Sequence, residues 1–167
     1  MRRLFGVTGD QFDPETVPLQ HLNMNSVEEL LHYLFGDWVE YLALQAFLAN
    51  QQSCDLYDVM MSVKTTPNPN HFEFDVAAMQ GYQLFVASCT RSTFRDLNKS
   101  KLFEVSIRAA QLGGDEARVA LVCCETDPER LEQEVADMLQ IGKGKVRVFG
   151  SSDLPYLSDR FADWLDS

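Results

Sequence analysis

At 167 residues, with 46% hydrophobic and 23% charged positions, the chain has the make-up of a single globular domain with a substantial core, which excludes a disordered polypeptide. A net charge of −11 excludes a protein that coats nucleic acid indiscriminately, because a negative field repels phosphates. No stretch approaches the ~18 apolar residues of a membrane span, and MRRLFGVTGD lacks the apolar core of a signal peptide, so a cytoplasmic chain that avoids membranes is expected.

Residues 1–25, with Gly6, Gly9, Pro14 and Pro18 and little periodicity, read as an irregular arm, and 26–167 as one domain. From Ser26, a capping box with Glu29 opens a long helix in which Leu30, Leu31, Leu34, Phe35, Trp38, Leu42 and Phe47 recur at spacings of three and four. DLYDVMMSVKTTP alternates Tyr57, Val59, Met61 and Val63 as a strand and breaks at PNPN, residues 67–70. HFEFDVAAMQ and YQLFVASCT, around Gly81, predict a hairpin. A helix over about 94–112 stops at Gly113-Gly114. ARVALVCCE is a buried strand, DPERLEQEVADMLQ an amphipathic helix with an Asp-Pro start, KVRVFG another strand and DLPYLSDRFADWLD a closing helix. The order α-β-β-β-α-β, then α-β-α, implies an α/β fold: a mixed sheet flanked by helices.

Cysteines 54, 89, 123 and 124 include no CxxC, and His21, His32 and His71 stand far apart, so reduced thiols and no structural zinc are expected. If Gln80-Gly81 is the hairpin turn, Asp75 opposes Val86 and Glu73 opposes Ser88. Cross-strand partners share a face, so Glu73, Asp75, Ser88 and Thr90 project together. On this reading, moving the turn by one residue turns every side chain of one strand to the other face. A mid-strand aspartate between Phe74 and Val76 needs compensation if it is buried. The count also brings His71 near Thr90, a thin basis for a serine or threonine hydrolase.

The element order, with an acid in the first helix, Asp75 on the second strand and a short polar tripeptide on the third, resembles the PD-(D/E)XK restriction-endonuclease-like superfamily. More narrowly, FGDWVEYLAL, with Gly36, Trp38 and Glu40, is similar to the G-x-W-x-E helix of CRISPR-associated effectors that join a nucleotide-sensing CARF domain to a nuclease. Glu73, Asp75, Phe85, Cys89 and Gly113-Gly114 extend the resemblance over roughly 26–150; no CARF domain is included. The resemblance implies a Mg²⁺ or Mn²⁺ ion held by carboxylates, here Asp75 and Glu73, with Glu40 nearby. It also implies that Ser88 and Thr90 occupy the positions of the catalytic Glu and Lys. Neutral hydroxyls make a thin site for a hard cation, so weakened or lost catalysis is expected, with Mg²⁺ or Mn²⁺ as cofactor if the domain is active and none otherwise.

Three roles remain open: a nucleic-acid-binding or scaffolding module with a degenerate site, an active nuclease in which Lys101 or Lys99 replaces the missing lysine, and a protein-interaction domain. A homodimer is a further expectation. Between 91 and 108, Arg91, Arg95, Lys99, Lys101 and Arg108 outnumber Asp96 and Glu104. Spaced by four on a helix, Arg91, Arg95 and Lys99 would track a phosphate backbone or form an ordinary salt-bridged face.

Overall fold

The computed structural model describes residues 37–64, 72–142 and 144–167. The capping box at Ser26 and Glu29, the 1–25 arm, Gly36, the PNPN break and His71 lie outside them.

The first described helix, α1, spans Trp38–Ala49. Its buried face is Val39, Ala43, Ala46 and Phe47, one residue out of step with the Trp38 and Leu42 stripe expected from spacing. Two alanines on that face let the helix backbone approach its neighbours closely. Strands β1 (Leu56–Lys64), β2 (Glu73–Gln80) and β3 (Gln83–Cys89) follow, then α2 (Arg95–Gly113), β4 (Arg118–Val122), α3 (Pro128–Leu139), β5 (Val146–Phe149) and α4 (Leu157–Leu165). Pro155 sits in a separate 3₁₀ turn, Leu154–Tyr156, so the closing helix starts later than its sequence suggests.

The five strands lie in the order β1-β2-β3-β4-β5. The first two pairings are antiparallel and the last two parallel, the mixed sheet that a meander followed by two helical crossovers must give. Under one face, Leu102, Val105 and Ala109 of α2 and Leu131 and Val135 of α3 pack with Val86, Val119, Leu121, Val146 and Val148. Neighbours of opposite parity, Phe85 and Phe149, meet Trp164 of α4 at ring separations of 5.3 and 6.1 Å, and Phe47 of α1 meets Phe161 edge-on at 4.9 Å. Both sheet faces are therefore covered. This is why Val76, Ala77 and Ala78 are all buried, where alternation alone would have exposed Ala77.

Strand β1 is an edge, and a bulge lies between Tyr57 and Met60. Asp58 takes the left-handed region there, at φ 51°. The extra residue puts Tyr57, 43% exposed, out of phase with half-buried Val59, Met61 and Val63, so the expected four-residue stripe holds for three. At the other edge the Glu132 carboxylate accepts the Val148 N–H at 3.0 Å, which blunts a site for strand addition.

The hairpin turn is Gly81-Tyr82, with Gln80 paired to Gln83 and Val76 to Ala87. Gly81 has φ 59°, a conformation that favours glycine at the first turn position. Moving a two-residue turn by one shifts each cross-strand partner by two, not one. Facing is thus preserved, contrary to the expectation above; only a change in loop length by one residue would reverse it. Asp75 exchanges Val86 for Ser88 as its opposite number, and the carboxylate and hydroxyl come closer than the sequence count placed them.

Candidate functional site

The site forms where β2 begins and β3 ends. Asp75 is its hub: Oδ2 accepts the Ser88 hydroxyl at 3.2 Å and the Cys89 backbone N–H at 2.5 Å. From α2, Lys101 donates Nζ to the Cys89 carbonyl at 3.4 Å, and its charge acts on Asp75. The Cys89 peptide is therefore held from both ends, its N–H by the acid and its C=O by the base. Burial, the largest influence, holds the Asp75 carboxyl above the usual carboxylate range, while the Cys89 N–H, the Lys101 charge and the Ser88 hydroxyl pull it back down.

The other expected site residues are less concentrated. Glu73 is exposed and turned to Lys64 on β1 at 3.7 Å, not to the Asp75 hydrogen bonds. Thr90 donates its backbone N–H to the Val122 carbonyl at 2.9 Å and accepts the Ser92 N–H on Oγ1 at 3.2 Å, a local turn. Glu40 on α1 is felt at Cys89, whose fully buried thiol is raised well above its ordinary value by burial and then by the charges of Asp75 and Glu40. Arg95 and Lys99 converge on Glu134 of α3 at 3.0 and 3.3 Å, joined by Arg130 at 3.3 Å. The expected basic stripe is thus largely a helix-to-helix ion cluster; Arg91 stands exposed before it.

As placed, Asp75, Glu73 and Ser88 do not converge as a ligand set for a divalent cation. A hard ion wants several oxygens with carboxylates among them. Here Asp75 Oδ2 is already engaged, Glu73 faces a lysine, Ser88 is neutral and the Cys89 carbonyl accepts an ammonium. Among the described residues no three His, Cys, Asp or Glu side chains gather as ligands.

The raised carboxyl has a testable consequence for stability. The folded chain binds the Asp75 proton more tightly than the unfolded chain, so stability falls as pH rises from ~3.9, the ordinary aspartate value, through the folded value. At neutral pH the ionised group is a net cost. Asp75→Asn, which keeps an acceptor for the Cys89 N–H, is expected to raise Tm at pH 7 by about 2 °C, the order of ~1 kcal/mol in a domain of this size. The gain should vanish below pH 4. Asp75→Ala, which strands the Cys89 N–H and the Ser88 hydroxyl, should lower Tm at both pH values. Thermal melts at pH 3.5 and 7 check the set; an Asp75→Asn protein less stable than wild type at pH 7 would refute the burial argument.

Beside this hub lies a polar pair that sequence reading passed over. Asn98 is fully buried on α2 and Glu125, after β4, is 6% exposed. Asn98 Nδ2 donates to the Ser92 carbonyl at 3.2 Å and reaches Glu125 Oε2 at 3.5 Å. Glu125 Oε1 accepts the backbone N–H groups of Thr126 and Asp127 at 3.0 and 3.4 Å. The signal was present: Asn98 occupies a core position in the series Asn98, Leu102, Val105, Ala109, an amide where the helical period asks for an apolar residue.

An α/β/α sandwich with an aspartate at the start of β2 and a polar β3 terminus opposite it is the architecture of restriction-endonuclease-like nuclease domains. Residues 27–167 match the family model of the Card1-like endonuclease domain, and the chain belongs to that family. The resemblance drawn from Trp38, Glu40, Asp75 and Cys89 to the nuclease module of CRISPR-associated effectors holds at this level. Among solved structures the chain is similar to protein VC1899 from Vibrio cholerae, at 21% identity and a TM-score of 0.66 over 83% of this chain and 36% of that one. It is also similar to Can2 from Sulfobacillus thermosulfidooxidans, solved in complex with cyclic tetra-adenylate, at 11% identity and a TM-score of 0.65 over 85% and 39%. The chain spans little more than a third of the length of either, and these likenesses concern the fold. No protein with a curated description matches it. Among the described residues no helix is long and apolar enough to cross a membrane.

Proposed function

We propose that this domain is a nuclease fold whose hydrolytic centre is silent and whose remaining role is to bind nucleic acid or scaffold an assembly, in a CRISPR-type defence setting. The observation that carries the reading is that Asp75 Oδ2 is taken up by the Ser88 hydroxyl and the Cys89 N–H, while Lys101 is held on the Cys89 carbonyl. A carboxylate in a working metal site keeps oxygens for the ion; this one spends Oδ2 on the neighbouring strand, β3, and has an ammonium nearby. Without a second carboxylate in place of Ser88, the charge needed to hold Mg²⁺ or Mn²⁺ is missing.

One observation favours a second reading, an active nuclease: Lys101 lies close enough for its charge to act on Asp75, as a lysine migrated from its usual strand would. Incubating wild type and Asp75→Ala with labelled single- and double-stranded DNA and RNA in Mn²⁺ separates the two. The silent reading expects no cleavage above background by either protein; Mn²⁺-dependent cleavage abolished by Asp75→Ala would establish the active one. A purely protein-binding role, in keeping with the net charge of −11, would show as no nucleic-acid affinity even at low salt, where phosphate contacts are strongest.

A further inference from the structure

Between α2, α3 and the starts of β4 and β5 the fold leaves a cavity of about 240 Å³. It lies at the end of the sheet away from Asp75, since the β3–β4 register runs from Phe85–Arg118 near the cavity to Cys89–Val122 beside the aspartate. Its walls are apolar: Ile107 and Ala110 of α2, Leu139 closing α3, Ile141 beyond it, and Val119 and Val146 on the sheet. Val119 and Val146 are 3% exposed and Ile107 is 39% exposed, which gives a buried floor and an open rim. Apolar walls without a partner forfeit dispersion contacts that a ligand with an apolar body restores. A closed apolar cavity of about 150 Å³ takes benzene, so this one has room for about six to eight carbons.

The polar groups at the rim decide the charge of the ligand. Helix α2 ends at Gly113 and α3 at Leu139, and neither carries a base in its last turn. The partial negative charge of their terminal carbonyls is therefore not offset by their own side chains. Asp115, in the 3₁₀ turn Gly114–Glu116, also lines the cavity, and its carboxylate joins no ion pair among the described residues. The Ser106 hydroxyl donates to the Leu102 carbonyl at 2.6 Å, so it offers the cavity an acceptor and not a donor. One base is present: Lys145, whose ammonium donates to the Asp115 backbone carbonyl. A carboxylate and two helix C-termini against one ammonium already engaged favour a positive headgroup, and the net charge of −11 acts in the same direction.

We infer that this cavity binds a small organic cation: an ammonium at the Asp115 rim, carried on an apolar chain of about six to eight carbons lying between α2 and α3. The site is independent of the Asp75 centre and of the nucleic-acid reading.

The test is a methyl-detected NMR titration of the full chain with n-hexylammonium, and with hexanol, hexanoate and ethylammonium at matched ionic strength. n-Hexylammonium should shift the Ile107, Ile141 and Val146 methyls saturably, with a Kd of about 1 mM or tighter. Ethylammonium, which lacks the chain, and hexanoate, which reverses the charge, should bind at least about tenfold more weakly. Asp115→Asn, at an exposed position, should weaken n-hexylammonium about fivefold and leave hexanol unchanged. Asp163→Asn, which removes an equal charge from an exposed position on α4, should bind as wild type does. Ala110→Leu, which fills the cavity, should abolish binding while melting within a few degrees of wild type; if it does not fold, Asp115→Asn and the probe series decide alone. No saturable shift in wild type, or shifts centred on other methyls, overturns the site. Equal affinity for hexanol or hexanoate, or wild-type affinity in Asp115→Asn or in folded Ala110→Leu, overturns the inference as well.

Discussion

Ser88→Glu should give the protein a larger response to Mn²⁺ than wild type shows. The substitution sets a second carboxylate on β3 opposite Asp75, where Ser88 now donates its hydroxyl at 3.2 Å. Without metal, two like charges facing one another across paired strands cost up to about 1 kcal/mol, and burial adds to that. The variant is therefore expected to melt about 3 °C below wild type. With Mn²⁺ at a hundred times its dissociation constant, binding to the folded state alone contributes about 2.7 kcal/mol. That raises Tm by about 5–10 °C. Wild type and Ser88→Gln, which supply no second charge, should not move. Adding Thr90→Lys to Ser88→Glu should bring Mn²⁺-dependent cleavage of single-stranded DNA above the wild-type background. Melting curves with and without Mn²⁺ decide the matter. A folded Ser88→Glu protein indifferent to Mn²⁺ would mean that more than one carboxylate is missing. A wild-type response of the same size would mean that the site was never silent.

The part of this centre that was legible in the sequence is local, and the part that was not is long-range. The Asp75–Ser88 juxtaposition came from counting along one hairpin. It survived a misplaced turn because moving a two-residue turn changes partners in steps of two, leaving parity intact. Element order was legible for a similar reason: Gly113-Gly114, Asp127-Pro128 and the short Val-rich runs mark their own boundaries. The fate of the basic stripe was not. Arg95 and Lys99 are one turn apart and visible as a pair, but the carboxylate that binds them, Glu134, lies on another helix 35 residues beyond Lys99. Nor does any local rule bring Ser92, Asn98 and Glu125 together, since they belong to a loop, a helix and a strand exit. On β1, the left-handed residue at Asp58 carries no glycine to announce it, so the bulge and the displaced Tyr57 were hidden behind a regular alternation.

Gly150→Ala should be among the most damaging small substitutions in the chain, because the residue lies against backbone. A Cβ there would come within 2.5 Å of the Glu125 carbonyl oxygen and 3.0 Å of Pro128 Cγ, and backbone cannot rotate aside as a flexible side chain does. The contact occurs where β5 ends beside the exit of β4: the Ser151 N–H donates to that Glu125 carbonyl at 2.9 Å, and the Gly150 N–H to Asp153 Oδ2 at 3.0 Å. Forcing the two segments apart breaks the first of these bonds and displaces the Glu125 side chain that receives Asn98 and the Thr126 and Asp127 amides. Overpacking of this kind costs up to about 3 kcal/mol, so a fall in Tm of about 6–12 °C is expected. Gly142→Ala, where an added Cβ meets nothing within 4 Å, supplies the control and should change Tm by no more than about 2 °C. Parallel melting series on the two variants check the effect. If Gly150→Ala melts like Gly142→Ala, the close approach of these segments does not hold the Glu125 network in place.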